Sequence, residues 1–208
     1  QAAGEKAAET AVAVMRARLE RQAGTPAERV REAITLANNE IYRLGQTNPD
    51  WRGMACVLTV AVIDEDRATI GHVGDSRLYL LAPGEIRKIT HDHSPVGERE
   101  DSGELTEEQA MRHPRRNEVY RDVGSAEHTP DDKDFIDVMT IPFRADQALL
   151  LCSDGLSDLM TSAEIREIVE GNASNPKQAA ISLVDAANRA GGKDNITVVL
   201  VENPRYAA

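Results

Sequence analysis

Two aspartates beside short apolar runs constrain this chain more than any other feature. Asp154 follows the run 149–152, and Asp194 stands just before the run 196–199. Runs of this length, rich in Leu, Val and Ile, are typical of buried strands, and the polar residues next to them mark turns. Because strand ends hold side chains rigidly, two such carboxylates can share a hard divalent cation. The pattern therefore predicts a site for Mg²⁺ or Mn²⁺.

The composition indicates a soluble, acidic, single domain. The chain has 208 residues and a net charge of −11, which suits one domain over residues 1–208. This charge disfavours nucleic acid and anionic membranes as partners, because phosphate binding relies on clustered Lys and Arg. A cation binder fits better, although an ordinary acidic surface accounts for the charge by itself.

The two cysteines and the hydropathy pattern indicate in which cellular compartment the protein is expected. Cys56 and Cys152 lie within apolar stretches, which favours packing over a disulfide framework. No apolar run approaches the roughly 20 residues needed to cross a bilayer. We expect a cytoplasmic monomer without membrane insertion in this segment.

Hydrophobic periodicity divides the chain into helix pairs and consecutive strands. Helical spacing or start signals predict helices at residues 3–23, 26–45, 161–169 and 176–190. Alternating or continuous apolar residues predict strands at 54–63, 68–73, 78–81, 86–89, 138–141, 148–152 and 195–201. The first four strands resemble an antiparallel meander. This arrangement indicates an α+β layered domain rather than a doubly wound parallel sheet.

A long polar excursion interrupts the strands. Residues 94–128 are charged and poor in apolar side chains, with 106–111 as a helical candidate. Such an excursion between strands is usually a functional loop. The overlapping segment 92–117 has little burial with which to offset the entropy of ordering, so we expect mobility there.

A third aspartate, Asp75, lies in the turn 71–79, whose glycines permit a tight backbone. A lone aspartate in such a turn is most often a turn former. Asp154 is harder to explain in that way, because an ionised carboxylate near a core is costly unless it is paired or metal-bound.

These motifs together resemble one known family. The matching stretches are GHVGDSRLYLL at 71–81, ITHDHS at 89–94, HPRRN at 113–117, LLLCSDGLSDLM at 149–160 and GGKDNITVVLVE at 191–202. Their order and spacing resemble the metal-dependent protein serine/threonine phosphatases of type 2C (the PPM family), bacterial members in particular.

The resemblance implies a fold and a chemistry. The fold is a four-layer α-β-β-α sandwich of two antiparallel sheets flanked by helix pairs. In the family, a metal cluster at one edge activates a water that attacks phosphoserine or phosphothreonine. Asp154 and Asp194 would then be catalytic ligands of a metal pair, and Asp75 with Asp154 would hold a third, weaker ion. Two or three Mn²⁺ or Mg²⁺ ions are implied, with the segment 92–117 as a flap beside them.

The chain departs from the family pattern at its start. The family's Asp-Gly metal motif, the first strands and a phosphate-contacting arginine would all lie before Gln1. We therefore expect an N-terminally incomplete domain whose upstream residues belong to the same protein.

Arg115 and Arg116 in the flap are candidates for binding a substrate phosphate. Equally, they could pair with nearby acidic residues of the flap, namely Glu98, Glu100 or Glu104.

The resulting hypothesis is a protein serine/threonine phosphatase that acts on phosphorylated proteins, with a serine/threonine kinase as a partner. The alternative is a catalytically silent relative that keeps the sandwich and binds a regulatory partner. An Asp-Gly pair immediately before Gln1 would favour the enzyme.

Overall fold

The structure is a computed structural model that describes residues 2–203 and Tyr206. The helices are α1 (Ala2–Leu19), α2 (Pro26–Thr47), α3 (Pro95–Asp101), α4 (Glu107–Met111), α5 (Asp154–Ser157), α6 (Ser162–Gly171) and α7 (Pro176–Arg189), with a 3₁₀ turn at Pro49–Trp51. The strands are β1 (Leu58–Asp64), β2 (Arg67–Val73), β3 (Arg77–Ala82), β4 (Glu85–Lys88), β5 (Asp137–Pro142), β6 (Ala148–Cys152) and β7 (Val198–Glu202).

The start of α2 shows how local chemistry fixes a helix boundary. The Thr25 side chain accepts a hydrogen bond from the Glu28 backbone N–H, and the Glu28 carboxylate accepts one from the Thr25 backbone N–H. This reciprocal cap satisfies backbone donors that the first helical turn leaves open. Pro26 at the first helical position fits because its missing N–H is not needed there. The prediction of two opening helices is confirmed.

The chain divides into two compact units, residues 1–74 with 120–142 and residues 75–119 with 143–208. In the first unit, β1, β2 and β5 form an antiparallel sheet in the order β1-β2-β5. Helices α1 and α2 share its core, which includes Ala7, Ala11, Ile34 and Ile41. α2 approaches β2 closely at Gly71, where a Cβ would lie 2.4 Å from Val30 Cγ1 and 2.7 Å from Ile34 Cδ1.

The second unit contains an antiparallel sheet in the order β4-β3-β6-β7. Its register pairs Arg77 with Cys152, and Cys152 with Val198. The start of β3, the end of β6 and the start of β7 therefore lie side by side at one edge of this sheet. Helices α6 and α7 contribute to its hydrophobic core through Ile165 and Leu183.

The α+β class with two antiparallel sheets and flanking helices is confirmed, but the predicted meander is wrong at one step. β1 pairs with β2 and β3 pairs with β4, yet β2 and β3 belong to different sheets. The turn that carries Asp75 therefore leads from one sheet to the other. Periodicity cannot detect this change, because strands of either sheet have the same alternation of side chains.

Two strands begin later than predicted because other partners occupy their first residues. Cys56 forms an isolated bridge with Val123, so residues 54–57 do not extend β1. Residues 195–197 bind the turn at Ser153 before β7 begins at Val198. None of the helices among residues 2–203 combines the length and the hydrophobicity that crossing a membrane requires.

Gly71→Ala should destabilise the fold by about 1–3 kcal/mol, because the added methyl group overpacks the contact between α2 and β2. Urea unfolding followed by circular dichroism measures the change. Gly171→Ala is the matched control, since a Cβ at Gly171 meets nothing within 4 Å. Equal stabilities of the two variants would show that the α2–β2 contact can relax around the methyl group.

Candidate functional site

Asp154 begins α5 directly after the central strand β6. Its side chain is half-buried. Burial raises the pKa of Asp154, and the negative charges of Asp158 and Asp194 raise it further. A hydrogen bond from the Gly155 N–H and the charge of Arg116 oppose this rise. Asp154 thus lies close to other carboxylates, as expected of a residue that binds a cation.

Ser153 ties the two aspartate motifs together. Its hydroxyl donates to the Asn195 carbonyl at 2.9 Å and accepts from the Thr197 N–H at 2.9 Å. The Ser153 N–H donates to the Thr197 carbonyl at 3.1 Å. A Cβ on Gly155 would lie 2.4 Å from the Asn195 carbonyl oxygen, so only glycine allows this approach. The turn after β6 and the loop before β7 therefore position each other.

Asp75 reaches the same place from the start of β3. Burial raises the pKa of Asp75 to about 6, and the charges of Asp154 and Asp92 add to the rise. Gly74 precedes it with φ of 109°, a conformation that favours glycine. The effect of the Asp154 charge on the pKa of Asp75 places the two carboxylates near each other, as the assignment of both to a third ion requires.

Asp75, Asp154 and Asp158 line one small pocket. Its volume of about 20 Å³ is enough for roughly one water-sized particle and far too small for a phosphopeptide. The guanidinium groups of Arg77 and Arg116 also line it, as do a fourth carboxylate and two serines. The pocket fits an ion.

Asp158 is a site residue that the sequence reasoning missed. It lies four residues after Asp154, at the end of α5, and this spacing places two side chains on the same face of a helical turn. The Asp-x-x-x-Asp spacing was therefore an available signal. Burial raises the pKa of Asp158, and a hydrogen bond from Arg116 opposes the rise. Arg116 Nε lies 2.7 Å from Asp158 Oδ2.

Arg77 was also missed, and it is the buried cation of the pocket. Arg77 Nη2 lies 2.7 Å from Asp92 Oδ2 and 2.6 Å from Glu100 Oε2. These charge-assisted bonds join β3 to the segment 92–117, and Lys88 of β4 adds a contact of 2.7 Å to Asp101. The flap is thereby held to the sheet by ion pairs.

The expected lack of burial in the flap is wrong for its first part. Asp92, His93, Ser94, Val96 and Gly97 are all buried. α3 begins at a Ser94 cap, and the predicted helix at 106–111 is present as α4 with a Thr106 capping box. Charged residues can be buried in this segment because Arg77 pairs with them, which the sequence alone does not reveal.

Neither flap arginine pairs with the acidic residues considered from the sequence. Arg115 Nη2 lies 2.6 Å from Glu118 Oε2 on the surface. Arg116 reaches Asp158 in the pocket instead. Contact of either arginine with a substrate phosphate stays a prediction.

Asp194 lies on an exposed turn beside the pocket. Its Oδ1 accepts a hydrogen bond from the Asn195 N–H at 2.7 Å. Its charge acts on Asp154, so the two predicted metal-pair residues are brought near each other. Among residues 2–203 and Tyr206, no group of three or more His, Cys, Asp or Glu side chains forms a ready-made metal cage.

Cys152 is excluded as a nucleophile. Burial raises its pKa to about 12, so the thiol is neutral at pH 7 and cannot supply the thiolate that nucleophilic catalysis requires. This agrees with the packing role predicted for it.

Comparison with known proteins identifies the family. The family model described as protein phosphatase 2C matches residues 1–186. A serine/threonine phosphatase, stp, of Listeria monocytogenes is 38% identical over 173 residues, which are 83% of this chain and 66% of the relative. This chain therefore spans just under two thirds of that curated relative.

Solved structures give the same result. The serine/threonine phosphatase PstP/Ppp of Mycobacterium tuberculosis has a TM-score of 0.84 and 32% identity, covering 96% of this chain and 82% of that one. The catalytic domain of PstP in complex with two manganese ions has a TM-score of 0.82 and 30% identity, covering 96% of this chain and 81% of the other. The chain belongs to the protein phosphatase 2C family.

The raised pKa of Asp75 predicts a pH-dependent stability. The folded-state pKa of about 6 exceeds the ordinary value of 3.8, so the folded protein binds an extra proton between these pH values and loses stability as pH rises through them. Asp75→Asn should therefore be more stable than wild type at pH 7.5 in chelator, by about 3 kcal/mol, and unfold at a higher denaturant concentration. The difference should vanish below pH 4.

Urea unfolding of both proteins between pH 3.5 and 7.5 tests this expectation. The exposed Asp146 provides the control variant Asp146→Asn. A constant difference across the pH range would mean that Asp75 makes no unfavourable buried charge.

Proposed function

We propose that this protein is a metal-dependent phosphatase of phosphoserine and phosphothreonine residues in proteins. The observation that carries the proposal is the acidic pocket at one edge of a sheet, lined by Asp75, Asp154 and Asp158. Burial raises the pKa of each, and the charge of Asp158 raises the pKa values of Asp75 and Asp154 further. Family membership supports the same activity. Buried carboxylates of like charge are expensive unless a cation neutralises them.

The donor set fits Mn²⁺ or Mg²⁺. All the candidate ligands are carboxylate oxygens, which hard divalent cations prefer, and no thiol takes part. Asp154 and Asp194 would hold the main ions, and Asp75 with Asp154, joined by Asp158, would hold the third. When bound, such ions supply Lewis-acid catalysis, activating water as the nucleophile and neutralising charge on the phosphoryl group.

The protein's own residues would position these ligands. Ser153 fixes the backbone on both sides of the site through Asn195 and Thr197. Arg77 lies within the pocket lining and holds Asp92 and Glu100, so it keeps positive charge beside the carboxylates without leaving the core. A rigid frame of this kind lowers the reorganisation required when charge develops during the reaction.

The flap is the proposed contact for protein substrates. Arg115 is exposed and sits on a turn, paired only at the surface with Glu118, so an incoming phosphoprotein can reach its guanidinium. Arg116 is engaged with Asp158, which makes it the less accessible of the two substrate-binding candidates. A serine/threonine kinase acting on the same proteins is the expected partner.

Asp154→Asn and Asp194→Asn should each lower kcat/KM for an aryl phosphate by more than tenfold, or about 1.4 kcal/mol, because each removes a charge from the cation site while keeping the side-chain shape. The assay uses the intact protein with Mn²⁺ and, in parallel, with excess chelator, and Asp146→Asn is the exposed control. Turnover that survives the chelator would refute the metal mechanism. Metal binding without any turnover would favour the catalytically silent relative.

Arg115→Ala should weaken turnover of a phosphopeptide severalfold more than turnover of an aryl phosphate. Only the larger substrate extends to the flap surface, where one charge–phosphate contact contributes about 1 kcal/mol or more. The measurement compares kcat/KM for both substrates. Glu118→Gln, which frees the Arg115 guanidinium from its partner, is the companion variant and should change phosphopeptide turnover in the opposite direction. Equal losses on both substrates would exclude a substrate contact.

A further inference from the structure

Arg116 reaches the acidic pocket from the flap. Its Nε lies 2.7 Å from Asp158 Oδ2, and the two side chains are 31% and 26% exposed. Both residues line the pocket together with Asp75 and Asp154. A guanidinium therefore occupies the side of the pocket where Asp158 could otherwise turn towards an ion.

The charge of Arg116 acts on two carboxylates of the pocket. Burial raises the pKa values of Asp154 and Asp158, and the charge of Arg116 opposes the rise at both. Arg116 thus partly neutralises the carboxylates of Asp154 and Asp158, as a bound divalent cation would. Like charges held in one small pocket repel each other.

The two arginines of the pocket differ in how firmly they are held. Arg77 is buried and makes ion pairs with both Asp92 and Glu100. Arg116 is about one third exposed, lies on a turn and has its ion pair with Asp158 alone among the described ion pairs. Displacing Arg116 therefore costs one partly solvated ion pair. Displacing Arg77 would break two close, less solvated ion pairs and leave Asp92 and Glu100 with only the longer contacts of 3.9 Å to Lys88.

We propose that Arg116 is a displaceable internal counter-ion that competes with a divalent cation for Asp158, and so couples occupancy of the acidic pocket to docking of the flap. The inference rests on the proposed function, because it concerns the cation site of that function. Arg116 is a positioning residue here: it acts through Asp158. With Arg116 docked, Asp158 is withheld from the ion and the flap is tied to α5.

Reciprocity follows from thermodynamic linkage. If docking of Arg116 weakens cation binding, cation binding weakens docking of Arg116 by the same factor. Saturation of the pocket should then release the turn around residue 116 and shift the flap towards an undocked population. A phosphoprotein would then encounter an undocked flap only when the cation occupies the pocket.

The first measurement is Mn²⁺ binding to the intact protein by isothermal titration calorimetry. Arg116→Ala should bind the weakest of its Mn²⁺ ions about tenfold more tightly than wild type, within the range of ordinary coupling energies. Arg116→Lys keeps the charge and should stay within about threefold of wild type. Arg115→Ala removes the same charge one residue away, where it pairs with Glu118, and should leave the Mn²⁺ affinity unchanged.

The second measurement is hydrogen exchange of residues 112–118 with and without Mn²⁺. Exchange in wild type and in Arg115→Ala should accelerate severalfold when Mn²⁺ saturates the protein. In Arg116→Ala it should be fast in both conditions, because no docking contact is left to lose. Asp158→Asn should show the same fast exchange, which provides a second variant should Arg116→Ala fail to fold.

The outcomes separate this inference from the proposed function. Unchanged Mn²⁺ affinity in Arg116→Ala, or an equal gain in Arg115→Ala, would overturn the counter-ion role while leaving a metal-binding phosphatase intact. Metal-independent exchange in wild type would also overturn it. If wild type binds no Mn²⁺ at all, the proposed function fails and this inference fails with it.

Discussion

The pairing of β6 with its two neighbours positions the three aspartates that the sequence singled out. Cys152 at the end of β6 faces Arg77 at the start of β3 and Val198 at the start of β7. Asp75, Asp154 and the Asp194 turn thus lie beyond the same edge of one sheet, although they are far apart in sequence. Ser153 then joins the Asp154 and Asp194 motifs through hydrogen bonds to Asn195 and Thr197. Without this register the carboxylates would share no electrostatic environment.

The carboxylates at this edge repel each other, and two arginines reduce this repulsion in different ways. Arg77 is held firmly, because its side chain is buried and its removal would leave Asp92 and Glu100 with only the longer contacts of 3.9 Å to Lys88. Arg116 is exposed enough to leave. The two guanidinium groups carry the same charge but differ in burial and in the number of their partners. Arg77 is therefore a fixed ion-pair partner, whereas Arg116 is an exchangeable one. Both arginines connect the flap to the acidic pocket.

Most secondary structure could be predicted from local pattern. The helices α1, α2, α6 and α7 follow from apolar periodicity and from caps such as Thr25 with Glu28, which are interactions between residues close in sequence. The strands were found but their partners were not, because alternation records which face is buried and not which strand lies next to it. The meander failed between β2 and β3 for this reason. The late start of β7 has a similar cause. Ser153, which is distant in sequence, forms hydrogen bonds with the backbone of Asn195 and Thr197 just before the strand.

The sequence by itself was enough to indicate the family, and it made Asp75, Asp154 and Asp194 candidate site residues, because each stands in a local motif whose chemistry can be recognised without coordinates. It also contained the spacing that places Asp158 one helical turn beyond Asp154. Only the tertiary structure decided the partners of the charges: that Arg77 is buried against Asp92 and Glu100, and that Arg116 points to Asp158 rather than to an acidic residue of its own segment. A charged residue in a sequence does not reveal which residue it will pair with. An ion pair forms where folding brings two groups within reach and excludes enough water for their attraction to matter, and that depends on contacts between residues far apart in the chain.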